Sequence, residues 1–309
     1  MCDLHIDLSV VIVSYNVRDL LAACLDSIKD SQPAVSYEIW VVENNSQDGS
    51  LEMLTGHYPQ VKLMINRDNL GFASANNMAI PHCRGRYFLF LNPDTLVLEG
   101  AFDRLVDFLD DRTEAGAAGS LLYNPDRTLQ PSCFPFPTLG REFWRLLHLD
   151  RLWPRALYPM DRWDVHQSRQ VDVLQGTSLA VRREAIDQVG PFDDAFFMYS
   201  EEVDLCYRLN QAGWQLFWVP ASKIVHYGGQ STRQTAASMF LQLYRGKTQY
   251  FRKHHGSFTA FGYKVILTLA GIVRILVSPL ALLEKGERRE EHLRLAGYYR
   301  SLLRALAEF

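Results

Sequence analysis

Cysteine is scarce and carries no pairing pattern: the five present (Cys2, Cys24, Cys83, Cys133, Cys206) are odd in number, scattered, and form no C-x-x-C. That argues against a disulfide framework and a thiolate zinc site and favours a reducing compartment. No basic stretch precedes an apolar run at the N-terminus, so no secretory signal is expected, and the apolar residues 10–13 are far too few to span a bilayer. No G-x-G-x-x-G occurs, which disfavours a dinucleotide-dependent oxidoreductase, and no Ser-His-Asp or Cys-His pattern suggests a covalent nucleophile. Internal repeats and low-complexity tracts are missing too. The body of the chain lacks a basic patch interleaved with aromatics, so no nucleic-acid partner is expected.

What is there suits a globular protein: 309 residues, 48% hydrophobic and 22% charged, enough for one large domain or a domain with an appendage. The net charge of -3 hides an asymmetry. Residues 244–309 hold 12 Lys+Arg against 5 Asp+Glu, which leaves 20 against 30 in residues 1–243. A basic tail beside an apolar stretch fits an anionic membrane surface, with a solvated tail as the plain alternative.

Residues 8–13 are apolar and β-branched, and Leu20, Leu21, Cys24, Leu25 and Ile28 follow at helical spacing. The strand-then-helix pattern repeats at 38–42 and 50–54, at 61–65 and 73–80, and at 86–91 and 100–109. Apolar strands alternating with helices predict an α/β fold with a mostly parallel, Rossmann-like sheet covered by helices on both faces. Ligands in such sheets bind beyond the carboxyl ends of the strands. The polar clusters fall there: Ser14-Tyr15-Asn16, Glu43 to Ser46, Asn66 to Asn69, and Asn92-Pro93-Asp94. Residues 124–169, with six prolines including Pro154, read as a long loop region. Strand character returns at 171–174, at 215–219 and in a further short strand before His226, and helices are expected at 182–189 and 201–212.

Asp94 ends an apolar strand behind a proline, so its carboxylate is placed for a hard cation; an Asx-type turn without metal fits the tripeptide equally well. Glu43 can accept the imide N3–H of a pyrimidine, or serve as a loop charge. Residues 196–206 place Glu201, Glu202 and Asp204 within four positions. Mutual repulsion raises at least one pKa and suits a general base, although first-turn acids complementing a helix dipole would look the same. His226, before Gly228-Gly229, is a candidate partner of Asp94 for Mn2+ or Mg2+, against the commoner structural histidine.

These stretches, residues 10–16, 41–50, 69–73 with Asn76-Asn77, 91–94, Gly176 with Arg182-Arg183, 196–208 and 226–231, resemble family 2 glycosyltransferases of the GT-A fold. The similarity is to the bacterial rhamnosyltransferase-like branch that builds surface polysaccharides, and it covers about residues 8–255. The resemblance implies a GT-A catalytic domain over 1–243, with a nucleotide-sugar part at 8–122 and an acceptor part at 123–243. It implies donor contacts from Ser14, Tyr15, Asn16, Glu43, Asn69, Gly71, Asn92 and Asp94, and metal ligation by Asp94 and His226. Glu202 is implied as general base, with Glu201 the other candidate. Asn92, Glu43 and Glu202 replace the family's usual aspartates, which keeps a catalytically silent nucleotide-sugar-binding or assembly subunit as the alternative.

The implied reaction is inverting transfer from a dTDP- or UDP-linked sugar, L-rhamnose by resemblance, to a glycan or lipid-linked hydroxyl. In the tail, residues 265–283 carry one charge, Arg274, and a central Arg costs about 2.5–3.5 kcal/mol on insertion scales. A helix lying in the cytoplasmic membrane interface, flanked by Arg252-Lys253 and Arg288-Arg289, is therefore expected ahead of a spanning one, with a helix packed on the domain as the other reading.

Overall fold

The computed structural model describes residues 6–151, 156–230, 235–279 and 286–309. Cys2, Pro154, Ser231, residues 280–283 of the apolar tail and the side chain of Arg288, all singled out above, lie outside the described residues.

The alternation read from the sequence folds as strands β1 (Leu8–Ser14), β2 (Tyr37–Glu43), β3 (Lys62–Ile65) and β4 (Tyr87–Leu91). Between them lie helices α1 (Arg18–Asp30), α2 (Ser50–His57) and α3 (Gly71–Ala79). β1 and β4 are apolar on both faces because helices cover both, and α1 buries Leu21, Cys24, Leu25 and Ile28 as their spacing predicts. These strands pair in parallel in the order β3-β2-β1-β4, so each carboxyl end delivers its polar cluster to one edge.

The sheet continues with β5 (Thr95–Val97), β6 (Ala115–Tyr123) after α4 (Ala101–Asp111), β11 (Ser178–Arg182) and β12 (Gln215–His226). The full order is β3-β2-β1-β4-β11-β6-β12-β5, with β11 and β5 antiparallel to the rest. β6 escaped the sequence reading because its Ala-Gly-Ala-Ala-Gly start has no β-branched signal. Its glycines are needed for packing: a Cβ on Gly116 would lie 2.6 Å from Trp214, and one on Gly119 2.7 Å from Leu174. The two short strands expected up to His226 are one strand, bent by a register shift between Val219 and Lys223, where Pro220 lacks an N–H for the ladder.

Residues 124–169 are not one long loop. They hold β7 (Leu129–Gln130), which pairs with β6, then β8 (Cys133–Phe134) and α5 (Leu139–Leu146), and β9 (Arg169–Val171) pairs with β12. β10 (Val173–Leu174) pairs with β8. Helices α6 (Arg183–Val189) and α7 (Glu201–Gln211) sit where expected.

The chain forms two compact units. The first comprises residues up to 136, 159–197 and 201–234, and contains the whole ten-stranded sheet. The second comprises residues 137–158, 198–200 and 235–309. It holds α5, α8 (Ala236–Val277, interrupted at Gly256 with φ 84°) and α9 (Glu287–Ala305). Its interior mixes aromatics, with Phe240 against Tyr244, Tyr298 and Tyr299, and a buried ion cluster. There Glu142 accepts from Lys247 Nζ at 2.8 Å and from Arg145 Nη2 at 2.7 Å.

Candidate functional site

Three groups of the expected site residues assemble at the strand ends of the first unit. In the first, the β1–β2 register sets Ser14 beside Glu43, and both are buried. The Glu43 carboxylate accepts the N–H groups of Asn45 (3.1 Å) and Ser46 (2.7 Å), so its charge holds its own loop. Asn16, with φ 52°, accepts from Gln47 N–H at 2.7 Å and donates its own N–H to Ser46 Oγ at 3.0 Å. Tyr15 is half-buried beside it. Asn44, which sequence reasoning assigned no role, accepts from Asn66 Nδ2 and Leu70 N–H through Oδ1 and donates to Asn69 Oδ1 at 2.8 Å. Asn69 Oδ1 also accepts from Gly71 N–H. One amide network thus ties the loops after β2 and β3 together.

Gly71 starts α3 at φ 78°, and a Cβ there would lie 2.2 Å from Phe197 O, so only glycine fits. Phe72 N–H donates to the same carbonyl at 2.8 Å, fixing the segment that leads to α7 against α3.

The second group is the candidate metal centre. β5 pairs antiparallel with β12 with His226 opposite Thr95, which brings His226 Nε2 to 3.2 Å from Asp94 Oδ1. Both side chains are buried. Gln130, which the sequence did not single out, determines the ring state. Its Nε2 donates to Asn124 Oδ1 (2.9 Å) and His226 O (3.3 Å), leaving Oε1, 2.6 Å from His226 Nδ1, as an acceptor. Nδ1 is therefore the donor in that contact, and in the neutral ring this leaves Nε2 as the nitrogen with the lone pair. Nε2 makes no hydrogen bond and faces a carboxylate oxygen, an arrangement that a shared cation relieves. One carboxylate oxygen and one imidazole nitrogen make a donor set that fits a divalent ion, which Asp94 and His226 could hold between them. Among the described residues no group of three or more His, Cys, Asp or Glu side chains is placed to hold a metal ion, so the remaining positions of a bound ion would fall to substrate oxygens and water. Asn92 sits beneath this pair: its N–H donates to Thr177 O (3.0 Å), and its carbonyl accepts from Thr95 Oγ1 (2.7 Å).

The third group opens α7, whose two preceding residues, Tyr199 and Ser200, both have positive φ (67° and 73°). Glu201 is buried, and its burial, reinforced by the Glu202 carboxylate, pushes its pKa well above the usual carboxylate range. Glu202 is half-buried, and its Cβ lies 3.7 Å from where a side chain on Gly176 would begin. Asp204 holds structure together instead of facing substrate. It accepts from Arg208 Nε at 2.8 Å, while the rest of that guanidinium binds the carbonyls of Val189, Gly190 and Pro191.

Residues 9–189 match the model of the family described as glycosyl transferase family 2. The chain belongs to that family. Among its relatives, the N-acetylglucosaminyl-diphospho-decaprenol L-rhamnosyltransferase of Mycobacterium tuberculosis is 33% identical over 247 residues, 75% of this chain and 79% of that protein. Rhamnosyltransferase WbbL of Escherichia coli is 25% identical over 242 residues, 75% and 87% of the two chains. The mannosyltransferase PcManGT of Pyrobaculum calidifontis, solved with GDP-Man and Mn2+, superposes with a TM-score of 0.57 at 16% identity, over 99% of this chain and 85% of that one. At that identity the likeness carries the fold, and the mixed, mostly parallel sheet of this family 2 glycosyltransferase is of the GT-A type.

Proposed function

We propose that this family 2 glycosyltransferase is a metal-dependent, inverting enzyme that transfers L-rhamnose from a dTDP- or UDP-linked donor to a hydroxyl of a lipid-linked glycan at the cytoplasmic face of the membrane. The observation that carries the chemistry is the buried Asp94–His226 pair, with the His226 Nε2 lone pair turned toward Asp94. The relatives named as rhamnosyltransferases, one of them acting on a decaprenol-linked N-acetylglucosamine by its name, support the sugar and the acceptor class. The solved neighbour with bound Mn2+ supports Mn2+ or Mg2+ as the cation. Residues 8–122 would bind the donor and 123–243 the acceptor, with 244–309 as the membrane-associated tail.

In this reading Glu43, already fixed by two backbone N–H groups, turns its remaining lone pairs to the pyrimidine N3–H. Ser14, Tyr15, Asn16, Asn69 and Gly71 shape the rest of the donor cradle, and Asn92 and Asp94 close it. Asp94 and His226 hold the divalent ion, which when bound supplies positive charge for the departing diphosphate. Glu202 takes the acceptor hydroxyl proton as that oxygen forms its bond to the anomeric carbon and the bond to the diphosphate oxygen breaks. Attack opposite the leaving group inverts the configuration. Burial, reinforced by the Glu202 carboxylate, favours the protonated form of Glu201, so the half-buried Glu202 is the choice for the base.

Calorimetric titration of dTDP, UDP and GDP, with and without Mn2+, tests this reading on the wild type and on Asp94→Ala. Metal-dependent binding of a pyrimidine diphosphate, lost in Asp94→Ala, is the expected result, with transfer abolished but nucleotide binding kept in Glu202→Gln. Absence of metal-dependent nucleotide binding in the wild type would sink the mechanism and favour a silent subunit.

A further inference from the structure

The second half of α8 is apolar on two opposite faces. One face, Ala260, Tyr263, Leu267, Ala270 and Gly271, is buried within the second unit. It packs so closely that a Cβ on Gly271 would lie 3.0 Å from Leu303 of α9, and one on the neighbouring Gly262 3.2 Å from Leu139 of α5. The other face carries Phe258 (90% exposed), Phe261, Val265, Leu269, Ile272, Val273, Leu276 (73%) and Val277, all exposed. At about 100° per residue, the seven side chains from Phe258 to Leu276 fall on the side of the helix opposite the buried set, in a band about 27 Å long, with Val277 at its edge. A continuous apolar stripe of this size on a soluble surface marks an interaction site.

Charge decides what covers it. From Ala236 to Val277 the helix contains Arg245, Lys247, Arg252, Lys253, Lys264 and Arg274 and no Asp or Glu. Arg252 and Lys253 are exposed just ahead of the stripe. A second copy docking on the same face would bring like charges together, whereas an anionic lipid surface takes both the apolar stripe and the cations. Among the described residues α8 is the one helix long and apolar enough to cross a membrane. Its buried face argues against crossing. Tyr263 OH lies 3.4 Å from Glu142, the centre of the buried ion cluster with Arg145 and Lys247, and a spanning α8 would draw those charges into hydrocarbon.

We infer that the stripe from Phe258 to Val277 is a docking face for an anionic bilayer, with α8 lying in the headgroup–acyl boundary on that face while its opposite face stays packed on α5 and α9. This rests on the membrane reading proposed above and deepens it: the chain reaches its lipid-linked acceptor by embedding one helix face, with cations beside it that select anionic lipid.

The test is co-sedimentation of the purified full chain with vesicles of phosphatidylcholine alone and of equal parts phosphatidylcholine and phosphatidylglycerol. The Phe258→Ser/Leu276→Ser double variant replaces two exposed side chains outside the donor site. The expected result is binding to the mixed vesicles that weakens with salt, weaker binding to phosphatidylcholine, and at least about tenfold weaker binding of the variant to the mixed vesicles. Its melting temperature and nucleotide affinity should match the wild type. Equal binding of variant and wild type to the mixed vesicles would overturn the assignment. So would indifference to lipid charge, or a wild-type dimer that ignores vesicles and that the variant dissociates. The nucleotide titration separates this failure from failure of the transferase reading, because donor binding does not depend on the stripe.

Discussion

His226 keeps its Nε2 lone pair only while Nδ1 is held as a donor, and Gln130 Oε1, 2.6 Å away, is what holds it. Gln130→Leu is therefore expected to weaken Mn2+ binding by about 10–100-fold. Metal titration in the absence of donor would read this, and unchanged affinity would show that the ring is oriented by β12 alone. Glu201 is governed by burial. A carboxyl whose folded pKa lies above its unfolded value favours folding below the unfolded pKa and loses that contribution as pH rises through the folded one. Glu201→Gln should accordingly gain melting temperature over the wild type as pH is raised from about 4.5 toward neutrality, a trend that thermal melts in a buffer series would expose. Both residues show the limit of sequence reading at this scale. Glu201 was visible as part of an acidic run, whereas Gln130, on a two-residue strand amid prolines, has no local signal of its contact with a residue 96 positions away.

Among the elements, α3 is held at its first residue. Gly71 has φ 78° and lies against the Phe197 carbonyl, so Gly71→Ala combines backbone strain with a clash. A loss of about 1–3 kcal/mol is expected, since this is one of the mechanisms behind large single-site effects. Denaturant unfolding would measure it, and a neutral substitution would mean that the loop before α7 yields freely. The antiparallel pairing of β5 with β12 is equally consequential: a one-residue slip would turn His226 to the other face of the sheet and away from Asp94. The elements with strong periodicity, β1, α1, β2 and β4, were legible in the sequence. β6 was not, because its alanines and glycines answer to the packing of Trp214 and Leu174. α5 was hidden by the prolines around it, although Thr138 caps it by accepting from Arg141 N–H.

Across the whole molecule, two buried carboxylates with strongly lowered pKa values contribute to the response to acid. Burial pushes Glu38 up, but Lys62, the Arg84 N–H and the Ser9 hydroxyl together draw it down to about 2. Burial opposes Glu142 in the same way, and Lys247 and Arg145 bring it to about 2. A depressed carboxyl stabilises the fold above its unfolded pKa and loses that contribution as pH falls through the folded one. Stability should therefore fall between about pH 4.5 and 2, and Glu38→Gln and Glu142→Gln should each flatten part of that slope while lowering stability at neutral pH. Chemical denaturation at several pH values would reveal it.

The sequence by itself determined the α/β alternation, the delivery of polar clusters to the strand ends and the family, because hydrophobic periodicity and short turn-forming motifs are local properties of the chain. Only the tertiary structure decided that Asp94 faces the His226 ring across β5 and β12, that Gln130 selects its tautomer, that Asp204 belongs to Arg208, and that α8 keeps one apolar face buried and one exposed. These depend on register and on contacts between residues far apart in sequence, where the energy of a buried charge or lone pair is set by neighbours that no local pattern names.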